Sequence, residues 1–285
     1  MLNLENIEEE ILIFLLKIKM TIKEYVALRK EEIKNIVFAM ERKPSLKIIQ
    51  LNEDQASNAY VKGKLKDASE LGINAELIKL APETSQDELL KLIDGINNDN
   101  ETDGFIVQMP LGKHIDEELI KISISPKKDV DGFNPLSEYA PCTPKGIMNY
   151  LNAIYYDFVG KNALVIGRSN IVGKPLASLL LKANCNVTIV HSKTKKEDMK
   201  RYIENSDLIC IAIGKTHFLD ETYNYKKDAI IVDVGINRTD EGLKGDAKEG
   251  LNVALKTPVP GGVGLLTRLA LLENLLLIKE KNDGI

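Results

Sequence analysis

From residue 46 onward the chain alternates between two hydrophobic periods, and that alternation restricts its fold more than any other feature. LKIIQL (46–51), INAELIKL (73–80) and DGFIVQMP (103–110) read as strands, the last stopped by proline. Residues 55–72 and TSQDELLKLIDGIN (84–97) repeat at helical spacing, and DEELIKISI (116–124) is a short helix. Ser85 and Glu88 stand at capping-box spacing where the middle helix begins. Strands separated by helices pair in parallel through crossovers that cover the sheet, so this half reads as an α/β domain. Residues 4–42 before it have the period and charge pattern of two helices.

The second half repeats the rhythm. CTPKGIMNYL (142–151) reads as a linking helix with Thr143 as N-cap and Pro144 in the first turn. KNALVIG (161–167), NVTIV (186–190), DLICIAIG (207–214) and DAIIVDVG (228–235) read as strands, with helices over 173–183 and 196–205 between them. TPVPGGVG (257–264) leads into a long terminal helix over 265–281. This order is that of a Rossmann-type domain.

Composition excludes several classes. The 285 residues are 44% hydrophobic and 28% charged, as expected of a globular protein with one large or two ordinary domains. A net charge of −4 without a basic stripe argues against nucleic acid. ILIFLL (11–16) is too short to span a bilayer and follows three glutamates, so neither a membrane nor a secretion signal is expected. Cys142, Cys185 and Cys210 are too scattered for a disulfide scaffold and fit a reducing cytoplasm. His114, His191 and His217 have no ligand spacing, so no metal is expected.

One lysine breaks the helix pattern. In SNAYVKGKLKDASELG (57–72), Val61, Leu65, Ala68, Leu71 and Gly72 form an apolar stripe, with Lys62 and Lys66 on the far side. Lys64 lies at the stripe's edge, one turn on from Tyr60, so both side chains are expected to lean inward. A lysine at such an edge can run its stem along the surface and keep its ammonium in water. The alternative is a desolvated amine able to exchange protons near neutrality.

The phosphate-binding turn is GRSNIVGKP (167–175), placed between a strand and a helix. Gly167 permits the tight turn and Gly173 close helix–strand packing; the usual middle glycine is absent, and the Ser169 hydroxyl stands in that region. Where an NAD-binding domain places an acid at the end of its second strand, this chain reads VHSKT. Ser192, Lys193 and Thr194, with Arg168 from the turn, suit an extra phosphate and favour NADP. Three further stretches fall at strand ends: VQMP with Gln108, KKDVDGFNP with Asp129 and Asp131, and TPVPGGVG.

Taken in order, ASNAYVKGK, VQMPLG, KDVDGFNP, CTPKGI, GRSNIVGKP, VHSKT, VDVGIN and TPVPGGVG closely resemble the signatures of the methylenetetrahydrofolate dehydrogenase/methenyltetrahydrofolate cyclohydrolase family. They cover about residues 45–275. The resemblance implies two α/β domains with a cleft between them. A folate-binding and catalytic domain would span 1–143 and 266–285, and a Rossmann-type NADP-binding domain 144–265. It also implies a cytoplasmic homodimer joined through the nucleotide domain.

By the family pattern Lys64 is the catalytic lysine, Tyr60 packs on the folate's aminobenzoate ring, Gln108 hydrogen-bonds the lysine and Asp131 holds the pterin. Gly167, Arg168, Ser169, Gly173, Ser192 and Ile236 would form the NADP site. The loop containing Pro260, Gly261, Gly262 and Gly264 would line the folate and nicotinamide pocket. The chain departs from the pattern at LNEDQAS before the lysine helix, at Gly112, at Asn134, in the short segment 136–141, and at Leu265-Leu266. Other readings are a two-domain NADP dehydrogenase acting on another substrate, a non-catalytic nucleotide or folate binder, and a single-activity member of the family.

Overall fold

The computed structural model describes residues 20–284. Contacts divide these residues into two units: Leu28–Cys142 with Arg268 onward, and Thr143–Thr267 with the described residues up to Ala27. Helix α1 (Ile22–Ala39) and the long helix α8 (Val263–Asp283) each supply residues to both. Of the two helices expected over residues 4–42, α1 is described; the segment before residue 20, ILIFLL included, lies outside the described residues. Among the described residues no helix is long and apolar enough to cross a membrane.

In the first unit β1 (Ser45–Gln50), β2 (Asn74–Lys79) and β3 (Gly104–Val107) pair in parallel in the order β2-β1-β3. The register runs from Ser45 opposite Asn74 to Gln50 opposite Lys79, and Leu46 stands opposite Gly104. β3 is buried along its whole length, whereas β2 at the edge alternates between half-buried and exposed. The core gathers Ile49, Leu51 and Phe105 from the sheet region with Leu89, Ile93 and Ile96 of α3 (Gln86–Asn97) and Ile120 of α4 (Glu117–Ser123). α3 starts where the capping box predicts: the Ser85 hydroxyl accepts the Glu88 N–H, and the Glu88 carboxylate accepts the Ser85 N–H.

Helix α2 (Gln55–Glu70) is two residues shorter than its apolar pattern. Asp54 caps its start by accepting the Ser57 N–H at 2.7 Å. At the other end Gly72 adopts φ +73° and donates to Ser69 O, while Ile73 donates to Ala68 O, a Schellman closure that only a residue tolerant of positive φ completes cheaply. Gly72 therefore terminates the helix and is not part of its stripe.

The second unit carries a five-stranded parallel sheet in the order β10-β7-β6-β4-β5. Its strands are β4 (Asn162–Ile166), β5 (Asn186–Val190), β6 (Leu208–Ile211), β7 (Ile230–Asp233) and the short β10 (Leu255–Lys256). Helices α6 (Gly173–Lys182) and α7 (Lys196–Asn205) flank it. An antiparallel hairpin, β8 (Asn237–Thr239) and β9 (Gly242–Lys244), and β10 itself had no strand signal: they are two or three residues long, too short for a period to register.

Helix α5 (Cys142–Ala153) begins one residue before the expected cap. Thr143 is therefore inside the helix, where its hydroxyl bonds that of Thr267 at 2.9 Å, and Pro144 occupies the first turn without losing a hydrogen bond. Gly146 lets this helix approach the start of α8: a Cβ there would lie 2.6 Å from the Leu266 carbonyl oxygen.

Candidate functional site

In each unit the chain crosses over in opposite directions from the first strand of its sheet, and parallel sheets hold ligands at the carboxyl ends of such strands. In the first unit this point lies between β1 and β3. Gln108 follows β3 and donates its backbone N–H to Ile49 O at 2.8 Å, so its side chain is carried by the sheet itself. Facing it, α2 buries Ser57, Val61, Lys64, Asp67 and Ala68. Lys64 is the middle one of these five positions and so occupies the centre of the buried face, with half-buried Leu65 at its edge.

At 5% exposure Lys64 is not a surface lysine with its ammonium in water. Its Nζ donates to Gln108 Oε1 at 3.1 Å, and Gln108 Nε2 donates onward to Met109 O at 2.8 Å. A buried ammonium costs several kcal/mol unless hydrogen-bonded, so the glutamine oxygen is a requirement of the site, not an accessory. Tyr60, one turn earlier on α2, is half-buried.

The third element is the turn KDVDGFNP. Asp129 forms it, accepting the backbone N–H of Gly132 at 3.0 Å and of Asn134 at 2.8 Å. Gly132 has φ +71°, and a Cβ there would lie 2.6 Å from Tyr139 O. Asn274 Nδ2 and the Cys142 thiol both donate to Val130 O, at 2.9 and 3.2 Å. Asp131 is thereby presented near enough to Lys64 to feel its charge. Burial raises the Asp131 carboxyl pKa, against the lowering pull of Lys64 and of the Cys142 thiol. Burial also pushes Asp129 up, to about 6, with backbone donors opposing and the Asp131 charge adding to the rise. The departure at Asn134 has a structural role: its amide donates to Ile122 O and Ile124 O and accepts the Leu136 N–H.

In the second unit the corresponding point lies between β4 and β6. Gly167 has φ +124°, and a Cβ on it would lie 2.6 Å from Ala212 O. A Cβ on Gly173 would lie 2.4 Å from Gly167 O, so the turn closes only over bare backbone. Ser169 Oγ accepts the N–H groups of Val172 and Gly173, both at 3.2 Å, at the amino end of α6. That helix end, through its dipole, suits a phosphate. Exposed Arg168 and Ser169 follow β4, exposed Ser192 follows β5 and exposed Ile236 follows β7. The loop with Pro260, Gly261, Gly262 and Gly264 follows β10, with Gly261 at φ +92°. A Cβ on Gly262 would lie 2.1 Å from Pro258 O. These positions share the carboxyl edge of one parallel sheet.

Residues 16–131 match the model of the tetrahydrofolate dehydrogenase/cyclohydrolase catalytic domain, and residues 141–283 that of its NAD(P)-binding domain. The chain belongs to the tetrahydrofolate dehydrogenase/cyclohydrolase family. Its relatives include the bifunctional protein FolD of Campylobacter concisus, 45% identical over 277 residues, covering 92% of this chain and 95% of that one. The solved structure of the bifunctional enzyme FolD from Campylobacter jejuni is 39% identical, covers 92% of this chain and 97% of that one, and superposes with a TM-score of 0.86. That of the Trypanosoma brucei enzyme, complexed with NADP cofactor and inhibitor, is 28% identical, covers 93% and 98%, and has a TM-score of 0.87.

Four further residues, Asp129, Asn274, Asp233 and Asp246, hold the backbone around these positions. Asp129 was visible in its turn, but only Asp131 was given a role. Asn274 is one polar residue on an otherwise apolar helix face, 0% exposed, and that isolation was its signal. Asp233 ends β7 two residues before Gly235, and Asp246 directly follows Gly245; each is a buried acid close to a glycine in sequence.

Proposed function

We propose that this chain oxidises methylenetetrahydrofolate to methenyltetrahydrofolate with NADP⁺ and then hydrolyses the product to 10-formyltetrahydrofolate. The observation that carries this reading is the buried Lys64 Nζ, 3.1 Å from Gln108 Oε1.

In the first reaction a hydride leaves the one-carbon bridge of the folate. Bare backbone at Gly167 and Gly173, the exposed Ser169 hydroxyl and the dipole of α6 suit a pyrophosphate, with Arg168, Ser192 and Ile236 at the same sheet edge. NADP⁺ bound there supplies the hydride acceptor. Ser192 and Arg168 favour the nucleotide with the extra phosphate.

In the second reaction water adds to the cationic methenyl carbon and loses one proton, giving a neutral carbinolamine. Its hydroxyl loses the second proton as the ring carbon–nitrogen bond breaks and the carbonyl forms; the departing nitrogen takes up one proton, and one is released to solvent. The Lys64 amine is the group assigned to accept and return a proton, with Gln108 fixing its direction. Tyr60 offers a flat face to the aminobenzoate ring, Asp131 hydrogen-bonds the pterin, and the Pro260–Gly264 loop lines the pocket. Residues 1–143 with 266–285 form the folate-binding and catalytic domain in this reading, and residues 144–265 the NADP-binding domain. The enzyme acts in the cytoplasm as a homodimer.

The test supplies methylenetetrahydrofolate with NADP⁺ or NAD⁺ separately and follows reduced nicotinamide and methenyl absorbance together. Reduction with NADP⁺ followed by decay of the methenyl signal is expected. No reduction with either nucleotide contradicts the dehydrogenase, and preference for NAD⁺ overturns the roles of Ser192 and Arg168.

A further inference from the structure

Asp246 is fully buried, and its carboxylate accepts four hydrogen bonds. Oδ2 accepts the backbone N–H groups of Ile213 at 2.8 Å and Gly214 at 3.0 Å. Oδ1 accepts the Lys215 N–H at 2.7 Å and the Asn237 side-chain amide at 2.9 Å. These donors come from two segments. Residues 213–215 follow β6, and Asn237 comes directly after Ile236, beyond β7.

The first segment abuts the phosphate turn: Ala212 donates to Ile166 O at 2.9 Å, and a Cβ on Gly167 would strike Ala212 O. Behind it, Asp233 accepts the N–H groups of Gly235, Asp246 and Ala247 at 3.0, 3.0 and 2.8 Å, fixing the backbone that carries Asp246. The two aspartates interlock over glycines. A Cβ on Gly235 would lie 2.2 Å from Asp246 Cγ, and one on Gly245 1.9 Å from Asp233 Oδ2.

We propose that Asp246 is a positioning residue for dinucleotide binding: it ties the segment after β6 to the segment after β7 and so sets the edge on which the nucleotide lies. This rests on the nucleotide site proposed above. Asp246 itself is too deep to touch a ligand. It acts through Ile213–Lys215, against which the Gly167 turn rests, and through Asn237, which holds Ile236 in place. The buried anion is satisfied entirely by oriented N–H groups, so the shape of both segments depends on it.

The experiment compares wild type, Asp246→Asn and Asn237→Ala by three readouts: calorimetric titration with NADP⁺, dehydrogenase KM and kcat, and hydrolysis of methenyltetrahydrofolate without nucleotide. Asp246→Asn keeps the shape but turns an NH₂ toward N–H donors. The NADP⁺ dissociation constant and KM are expected to rise about tenfold, the size of one unsatisfied buried donor, with a smaller change in kcat. Hydrolysis stays within about twofold of wild type, because the first unit keeps its geometry. Asn237→Ala shifts NADP⁺ binding in the same direction by less, and decides the question if Asp246→Asn does not fold. Unchanged NADP⁺ binding in both variants overturns the proposal, as does parallel loss of hydrolysis, which marks a merely structural role. Wild type that fails to bind NADP⁺ overturns the nucleotide site itself.

Discussion

Both units place their candidate residues at the point where a parallel sheet reverses its direction of crossover, but they build the site from different materials. In the first unit it consists of side chains that can ionise: Lys64 on a helix, Asp131 on a turn, with the Gln108 amide between the strands. In the second it consists mainly of backbone: glycines without Cβ at 167 and 173, a helix end capped by the Ser169 hydroxyl, and segments pinned by buried aspartates. The difference fits the tasks proposed for them. Moving a proton needs a group whose charge can change, whereas holding a phosphate needs fixed donors and the absence of bulk.

Breaking one site while sparing the other tests this division. The largest effect is expected from Lys64→Met, which removes the proposed proton carrier but keeps an apolar stem: hydrolysis of methenyltetrahydrofolate should fall about 10³-fold, with NADP⁺ affinity unchanged by titration. Gly173→Ala does the converse, because its methyl would sit 2.4 Å from Gly167 O and push the phosphate turn open. NADP⁺ affinity is expected to drop about 100-fold, in line with an overpacking cost of 1–3 kcal/mol. Gln108→Ala leaves the Lys64 ammonium without its acceptor, and about a tenfold loss of hydrolysis is expected.

The smallest effect on turnover comes from Asp129→Asn, which is expected to change the pH dependence of stability. The folded chain holds the Asp129 proton up to about pH 6, whereas an unfolded aspartate releases it near about pH 4. Its contribution to stability is therefore complete below about pH 4 and is lost as pH rises through about 6. Asparagine cannot titrate. The stability of wild type relative to the variant, measured by urea unfolding, should fall by up to about 3 kcal/mol between pH 4 and pH 7. A pH-independent difference would mean that Asp129 is ionised throughout.

The same division explains what was legible in the sequence. Period and spacing reveal the longer strands and the helices of both sheets, because each buries a face, but not the two-residue β10. They also revealed Lys64, because a cation beside an apolar stripe breaks a pattern. Periodicity put Lys64 at the edge of that stripe and ran the helix through Gly72; the burial of Ser57, Val61, Lys64 and Ala68 moves the lysine to the centre, and the φ of +73° at Gly72 ends the helix. What escaped notice acts through backbone atoms, which every residue shares. Asp233 and Asp246 bond N–H groups up to 33 positions away, and Asn274 reaches Val130 O across 144 positions. No local period records such partners.

The most direct measurement supplies methenyltetrahydrofolate, without nucleotide, to Lys64→Met and Gly173→Ala side by side and follows loss of the methenyl absorbance. If proton transfer belongs to the first unit's lysine and phosphate binding to the second unit's glycine turn, Gly173→Ala hydrolyses at the wild-type rate and Lys64→Met only at the spontaneous rate. Equal loss in both variants, or near-normal hydrolysis by Lys64→Met, would contradict it.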